Sequence, residues 1–172
     1  MHGTAAVRLG VGLYGLNGHQ IHAALAAHPR AELVAVAALP EAALAGLPAA
    51  AGIRRYADLA GLLSDPRVEL VSLCSPRRAD QTTDAIRCLA AGRHVYAEKP
   101  CALSEAELDA VLAAAAAAGR TFHEMAGTVF EQPYWAMRQL VRAGRIGKVV
   151  QVLVQKSYPW HEGRPQDEAV DG

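Results

Sequence analysis

The sequence predicts an α/β protein built on one doubly wound parallel sheet, and three observations carry that prediction. Short apolar, β-branched runs alternate with alanine- and leucine-rich stretches of helical length. Two of those runs, Glu32–Leu39 (ELVAVAAL) and Val68–Cys74 (VELVSLC), are almost continuously apolar, as strands buried on both faces must be. A glycine-rich turn, Gly15–Gln20, follows the first run. The 172 residues suffice for one ordinary domain with an appendage, and 17 basic against 17 acidic residues give no electrostatic footprint for nucleic acid or a membrane surface.

In order, Val7–Tyr14 reads as a strand and Gln20–His28 as a helix stopped by Pro29. Glu32–Leu39 is the second strand, Glu41–Ala50 a weaker helix, and Ile53–Tyr56 a brief strand. Asp58–Leu63 forms a short helix ended by Asp65-Pro66. Val68–Cys74 leads into helix Ala79–Ala91, which Gly92 caps in the left-handed conformation. Strand His94–Glu98 precedes a capping box, Ser104-Glu-Ala-Glu107, that opens an alanine-rich helix closing at Gly119. Thr121–Met125 is a sixth strand, Pro133–Ala143 a helix packed on the sheet through Tyr134 and Trp135, and Lys148–Ser157 a longer, more polar strand. Strands separated by helices give right-handed βαβ units. The alternation stops after Lys148, so residues 1–125 are expected to form one domain and 126–172 a connecting helix and the start of another.

The start of the chain lacks the basic segment and long apolar run of a secretory signal, and no run of about 20 apolar residues could span a membrane. Cys74, Cys88 and Cys101 lie too far apart for a C-x-x-C motif, which predicts reduced, buried thiols in a cytoplasmic protein and no metal site.

The turn Gly15-Leu16-Asn17-Gly18-His19-Gln20 stands where a first βα crossing cradles a dinucleotide's phosphates. Its spelling departs from G-x-G-x-x-G: Asn17 replaces the second glycine and Gln20 the third, so Gln20 is expected to push the helix outward or point into the cleft. The turn therefore has two readings, a phosphate cradle and a purely structural bend. The ribose-binding acid expected at the end of the second strand is replaced by Ala37-Ala38-Leu39, with Glu41 a step beyond, which leaves NAD and NADP both open.

Further along, Tyr56-Ala-Asp58-Leu59, Leu62-Leu63, Ser75-Pro76, Ala91-Gly92-Arg93-His94-Val95-Tyr96-Ala97-Glu98-Lys99-Pro100 and Ala143-Gly144-Arg145-Ile146-Gly147 appear in an order that resembles the glucose–fructose oxidoreductase/inositol dehydrogenase family. The resemblance covers essentially the whole chain. It implies a Rossmann NAD(P)-binding domain followed by the first strand of an incomplete α+β substrate domain. It also implies hydride transfer between nicotinamide and a sugar, polyol or related small molecule, with a homo-oligomer possible in the full-length family. Gly15 to Gln20, Ser75, Pro76, Glu98 and Lys99 would then line the cofactor, and Lys99 would act on the substrate hydroxyl. Arg77 and Asp80 depart from the family's usual asparagine and histidine. The chain stops about where the family's second-domain acid/base motif begins, so a fragment with little or no activity of its own is expected. A non-catalytic nucleotide-binding module is the competing reading.

Overall fold

The structure, a computed structural model, describes residues 8–45, 52–155 and 157. Its contacts divide the chain into two compact units that meet in sequence at Met125 and Ala126.

The first unit holds six parallel strands: β1 (Leu9–Tyr14), β2 (Ala31–Ala37), β3 (Arg54–Tyr56), β4 (Leu70–Leu73), β5 (His94–Ala97) and β6 (Phe122–Glu124). Their order across the sheet is β3-β2-β1-β4-β5-β6. The chain winds outward from β1 in one direction, then returns to start again at β4, and this reversal opens a crevice beyond the carboxyl ends of β1 and β4. Five helices alternate with the strands: α1 (His22–Leu25), α2 (Glu41–Ala45), α3 (Leu59–Ser64), α4 (Gln81–Ala90) and α5 (Glu105–Ala118). One apolar layer joins Ala35, Ala37, Val71, Leu73, Val95 and Ala97 of the strands to Leu59, Leu62, Cys88, Leu89 and Val111 of α3, α4 and α5. A smaller layer packs Val11, Leu13 and Val36 with Leu25 of α1.

Local chemistry sets the helix ends. Asp58 accepts from the Gly61 N–H at 2.8 Å and starts α3. Ser104 accepts from the Glu107 N–H at 3.3 Å, while the Glu107 carboxylate reaches back to the Leu103 N–H at 2.7 Å, one residue beyond the usual capping-box partner. Gly92 and Gly119 adopt left-handed φ values of 75° and 59° where the sequence predicts caps. The first helix is shorter than expected, four residues instead of nine. The second helix is described only to Ala45, and the rest of its expected span lies outside the described residues.

In the second unit a 3-10 turn (Gly127–Phe130) precedes α6 (Tyr134–Arg142). Within this unit Trp135 lies 6.3 Å from the Phe130 ring and 6.0 Å from the Arg138 guanidinium. The strand expected over Lys148–Ser157 is not formed among the described residues: Val150 and Val154 are 88% and 83% exposed. An apolar alternation becomes a strand only when another strand takes its hydrogen bonds, and none of the described residues does so here.

The crossover from β3 to β4 is tied by Asp65, whose buried carboxylate accepts from the Arg67 backbone N–H (3.0 Å), the Arg67 guanidinium (2.8 Å) and the Tyr56 hydroxyl (3.2 Å). The Arg67 guanidinium goes on to donate to the Val34 carbonyl at 3.1 Å, which stitches β2 to the entry of β4. Hydrogen bonding from Arg67 outweighs burial and lowers the Asp65 pKa from 3.8 to about 2. A depressed carboxylate stabilises the fold above its unfolded pKa, so this contribution is complete above about pH 4 and disappears as pH falls toward about 2. With its arginine partly exposed, the contribution is roughly 1–2 kcal/mol. Urea unfolding at stepped pH is expected to show Asp65→Asn less stable by that amount at pH 7 and level with the parent near pH 2.

Candidate functional site

β1, β4 and β5 are neighbours, so the segments leaving their carboxyl ends (Gly15–Ile21, Cys74–Arg77 and Glu98–Ala102) gather at one edge of the sheet. Two glycines let them approach closely. Gly15 has φ +68°, and a Cβ there would stand 2.0 Å from the Cys74 carbonyl oxygen. Gly18 has φ +133°, and a Cβ there would stand 2.4 Å from the Glu98 carboxylate. Both serve contacts within the protein.

The turn's N–H groups are used the same way. Gly15 N–H donates to the Ala37 carbonyl (3.0 Å), Asn17 N–H to that of Cys74 (3.4 Å) and Gly18 N–H to that of Leu16 (2.9 Å). His19 N–H donates to the Glu98 carboxylate. Glu98 is fully buried and also accepts from the Lys99 N–H at 2.9 Å, and the His19 ring nitrogen Nδ1 lies 3.0 Å from Glu98 Oε2. A buried carboxylate needs such compensation.

The Gln20 side chain turns its amide inward, away from the cleft. Its amide lies under the turn and donates to the carbonyls of Tyr14 (3.2 Å), Gly15 (2.9 Å) and Ser72 (3.1 Å), and it accepts from the Ser72 hydroxyl at 2.8 Å. The helix α1 begins at His22, with no side-chain cap from Ile21.

Ser75, expected to line the groove, is fully buried, with its hydroxyl donating to Asp84 at 2.9 Å. Pro76 is exposed, and its carbonyl lies 3.5 Å from the Asn17 amide nitrogen. Leu16 and Lys99 are exposed, and the Lys99–Pro100 peptide is cis. Arg77 pairs with Asp80 at 3.3 Å. Sequence reasoning missed three residues that organise this edge. Gln81 accepts from the Ser75 N–H (3.0 Å) and donates to the carbonyls of Leu73 (3.2 Å) and Glu98 (2.8 Å), joining the ends of β4 and β5. Asp84 takes the Ser75 hydroxyl and pairs with Arg87 at 3.2 Å, and burial raises its pKa. Arg78, itself buried, donates to the Asn17 carbonyl at 3.0 Å. The available signal was two polar residues, Gln81 and Asp84, three apart on the face of α4 that also carries Ala85 and Cys88.

At the adenosine end expected for a dinucleotide, Ala38 takes φ +54°, and Glu41 lies 3.5 Å from Arg55. His94 is structural, its Nδ1 accepting from the Thr121 N–H at 3.0 Å. Cys74, Cys88 and Cys101 are buried free thiols whose pKa values burial pushes up to about 12, 12 and 11. None of the described helices is long and apolar enough to cross a membrane.

A cavity of about 560 Å³ lies at the opposite, amino edge of the sheet, bordered by Arg8, Glu32, Arg67 and Glu69. Its charges are engaged inside the protein: Arg8 with Glu32 at 3.7 Å, Arg67 with Asp65 at 2.8 Å, and Glu69 with the Gly10 N–H at 2.9 Å. Parallel sheets bind ligands at the carboxyl edge, where the strand order reverses, so size does not make this cavity the site.

A parallel sheet in the order 3-2-1-4-5-6 with a glycine turn at its switch point defines a dinucleotide-binding α/β domain. The sequence profile of the oxidoreductase family with an NAD-binding Rossmann fold matches residues 7–125, and the chain belongs to this glucose–fructose oxidoreductase/inositol dehydrogenase family. It is 32% identical over 146 residues to an inositol 2-dehydrogenase of Saccharopolyspora erythraea, which covers 83% of this chain and 42% of the relative. An uncharacterised oxidoreductase of Escherichia coli is 32% identical over 67% of this chain and 34% of its own length. Among solved structures, the WlbA dehydrogenase from Bordetella pertussis, in complex with NADH and UDP-GlcNAcA, matches with a TM-score of 0.71 at 27% identity, over 84% of this chain and 42% of its own. The NAD binding oxidoreductase from Klebsiella pneumoniae matches with a TM-score of 0.68 at 30% identity, over 82% and 40%. The chain thus spans less than half the length of these relatives.

Two substitutions test the turn geometry by urea unfolding. Gly15→Ala forces a side chain into both a left-handed conformation and a carbonyl oxygen, and is expected to cost more than about 2 kcal/mol. Ala38→Gly relieves a left-handed alanine, partly offset by unfolded-state entropy, and is expected to gain about 0.5 kcal/mol.

Proposed function

We propose that this chain binds a nicotinamide dinucleotide, NAD or NADP, along the carboxyl edge from Gly15 to Lys99. We further propose that the whole protein transfers hydride between that cofactor and a carbon bearing a hydroxyl on a sugar, polyol or related small molecule. The observation that carries the reading is the convergence of the Gly15–Gln20 turn, Ser75-Pro76 and Glu98-Lys99 at the switch point of the sheet. Family membership supports it, as do an inositol dehydrogenase among the relatives and NADH in the Bordetella structure.

When bound, the cofactor supplies the hydride donor or acceptor. The chain's own residues supply position and charge. Leu16, Asn17, Gly18 and His19 border the phosphates, while Gln20 supports the turn from below. Ser75, through Asp84 and Gln81, fixes the backbone from which Pro76 faces the groove. Glu98 holds the strand end from which Lys99 projects. The exposed Lys99 ammonium is the group to hydrogen-bond a substrate oxygen and exchange its proton.

A second reading, a nucleotide-binding module without hydride chemistry, is favoured by the internal bonding of the turn's N–H groups and by Ala38 in place of a ribose-binding acid. Fluorescence titration with NADH and NADPH separates the readings from a protein that binds neither. Saturable sub-millimolar binding of at least one cofactor is expected, with Lys99→Ala within about threefold of the parent. In the whole protein, Lys99→Ala is expected to reduce turnover on a polyol panel by about a hundredfold or more. No binding by folded protein overturns the cofactor assignment, and binding without turnover by the whole protein favours the module.

A further inference from the structure

We propose that His19, held by the buried carboxylate of Glu98, is the group that recognises the dinucleotide's diphosphate, a task that free backbone N–H groups perform in an ordinary glycine turn. The inference rests on the dinucleotide-binding reading above and names the chemistry of its phosphate contact.

Four N–H groups of the turn, those of Gly15, Asn17, Gly18 and His19, already donate to acceptors inside the protein. A diphosphate arriving here gains little from them. It also meets a negative charge, because the Glu98 carboxylate lies directly beneath Gly18 and His19. A cation placed between the carboxylate and an arriving anion offsets their repulsion.

The imidazole of His19 is placed to be that cation. Its Nδ1 is 3.0 Å from Glu98 Oε2, and 77% of the side chain is exposed. A carboxylate on one ring nitrogen fixes the orientation of the ring, and an imidazolium presents one N–H on each side. In that form Nδ1–H donates to Glu98, and Nε2–H is the donor left for a phosphate oxygen. Such a charge-assisted bond is among the stronger single contacts available at an exposed edge. Glu98 touches no ligand in this scheme. It is a positioning residue that acts through His19. The irregular spelling of the turn then has a physical account: the carbonyls of Ala37, Cys74 and Leu16 and the Glu98 carboxylate take the turn's N–H groups, and a side chain takes over the phosphate.

The test measures NADH and ADP dissociation constants by calorimetry, with thermal melts as a check of folding. His19→Ala is expected to weaken both ligands about tenfold, and His19→Lys to recover most of the loss. Glu98→Gln is expected to weaken both to a similar degree. In the His19→Ala background it should add less than twofold, because the two residues act as one unit. A merely structural Glu98 would give an additive loss. Parent-like affinity in His19→Ala, or failure of His19→Lys to recover binding, overturns the proposal while leaving the cofactor assignment intact. Absence of NADH, NADPH and ADP binding by the folded parent protein overturns both.

Discussion

The carboxyl edge of this domain is organised around one buried charge. Glu98 leaves the end of β5 and turns its carboxylate back across β4 to the turn after β1, accepting from His19 and Lys99. Taking a carboxylate out of water costs several kcal/mol unless donors surround it, so the segments supplying those donors are obliged to stay together. Gln81 completes the closure from the other side, bridging the carbonyls of Leu73 and Glu98 with its amide and receiving the Ser75 N–H. Three strand ends are thereby locked by polar contacts at the point where the sheet has no further strand pairing to hold them.

That closure explains why the glycine turn departs from the usual pattern without losing its place. Gly15 and Gly18 remain glycine because the Cys74 carbonyl and the Glu98 carboxylate occupy the positions of their missing side chains. The third glycine is dispensable because Gln20 replaces close helix packing with hydrogen bonds to three carbonyls and a hydroxyl. The first helix that follows is only four residues long. The strain in Ala38 sits at the end of β2, beyond the reach of this network.

Local chemistry made much of the fold readable in advance. The apolar runs gave six strands within a few residues, and alternation with helices gave their parallel order. Asp58, Ser104, Gly92 and Gly119 announced helix ends because a cap depends only on neighbours in the chain. Glu98-Lys99-Pro100 marked the carboxyl end of a buried strand because a charged pair closing such a strand has few places to go. What could not be read was non-local. Nothing within a few residues of Gln20 reveals that Ser72 lies beneath it, or that Ser75 turns inward to Asp84. The Lys148–Ser157 alternation reads as a strand in isolation, yet strand formation requires a partner that local pattern cannot supply. Which segments meet at the candidate site was legible, but the division of contacts between its backbone and its side chains was not.

Two edges of the same sheet compete as ligand sites, the Glu98-centred carboxyl edge and the cavity beside Arg8, Glu32, Arg67 and Glu69. Backbone amide chemical shifts recorded while NADH or NADPH is titrated into the labelled protein decide between them residue by residue. The account predicts that the shifts concentrate in Gly15–Gln20, Cys74–Arg77 and Glu98–Lys99. Shifts confined to the Arg8, Glu32 and Glu69 cavity, with the turn unmoved, would contradict it.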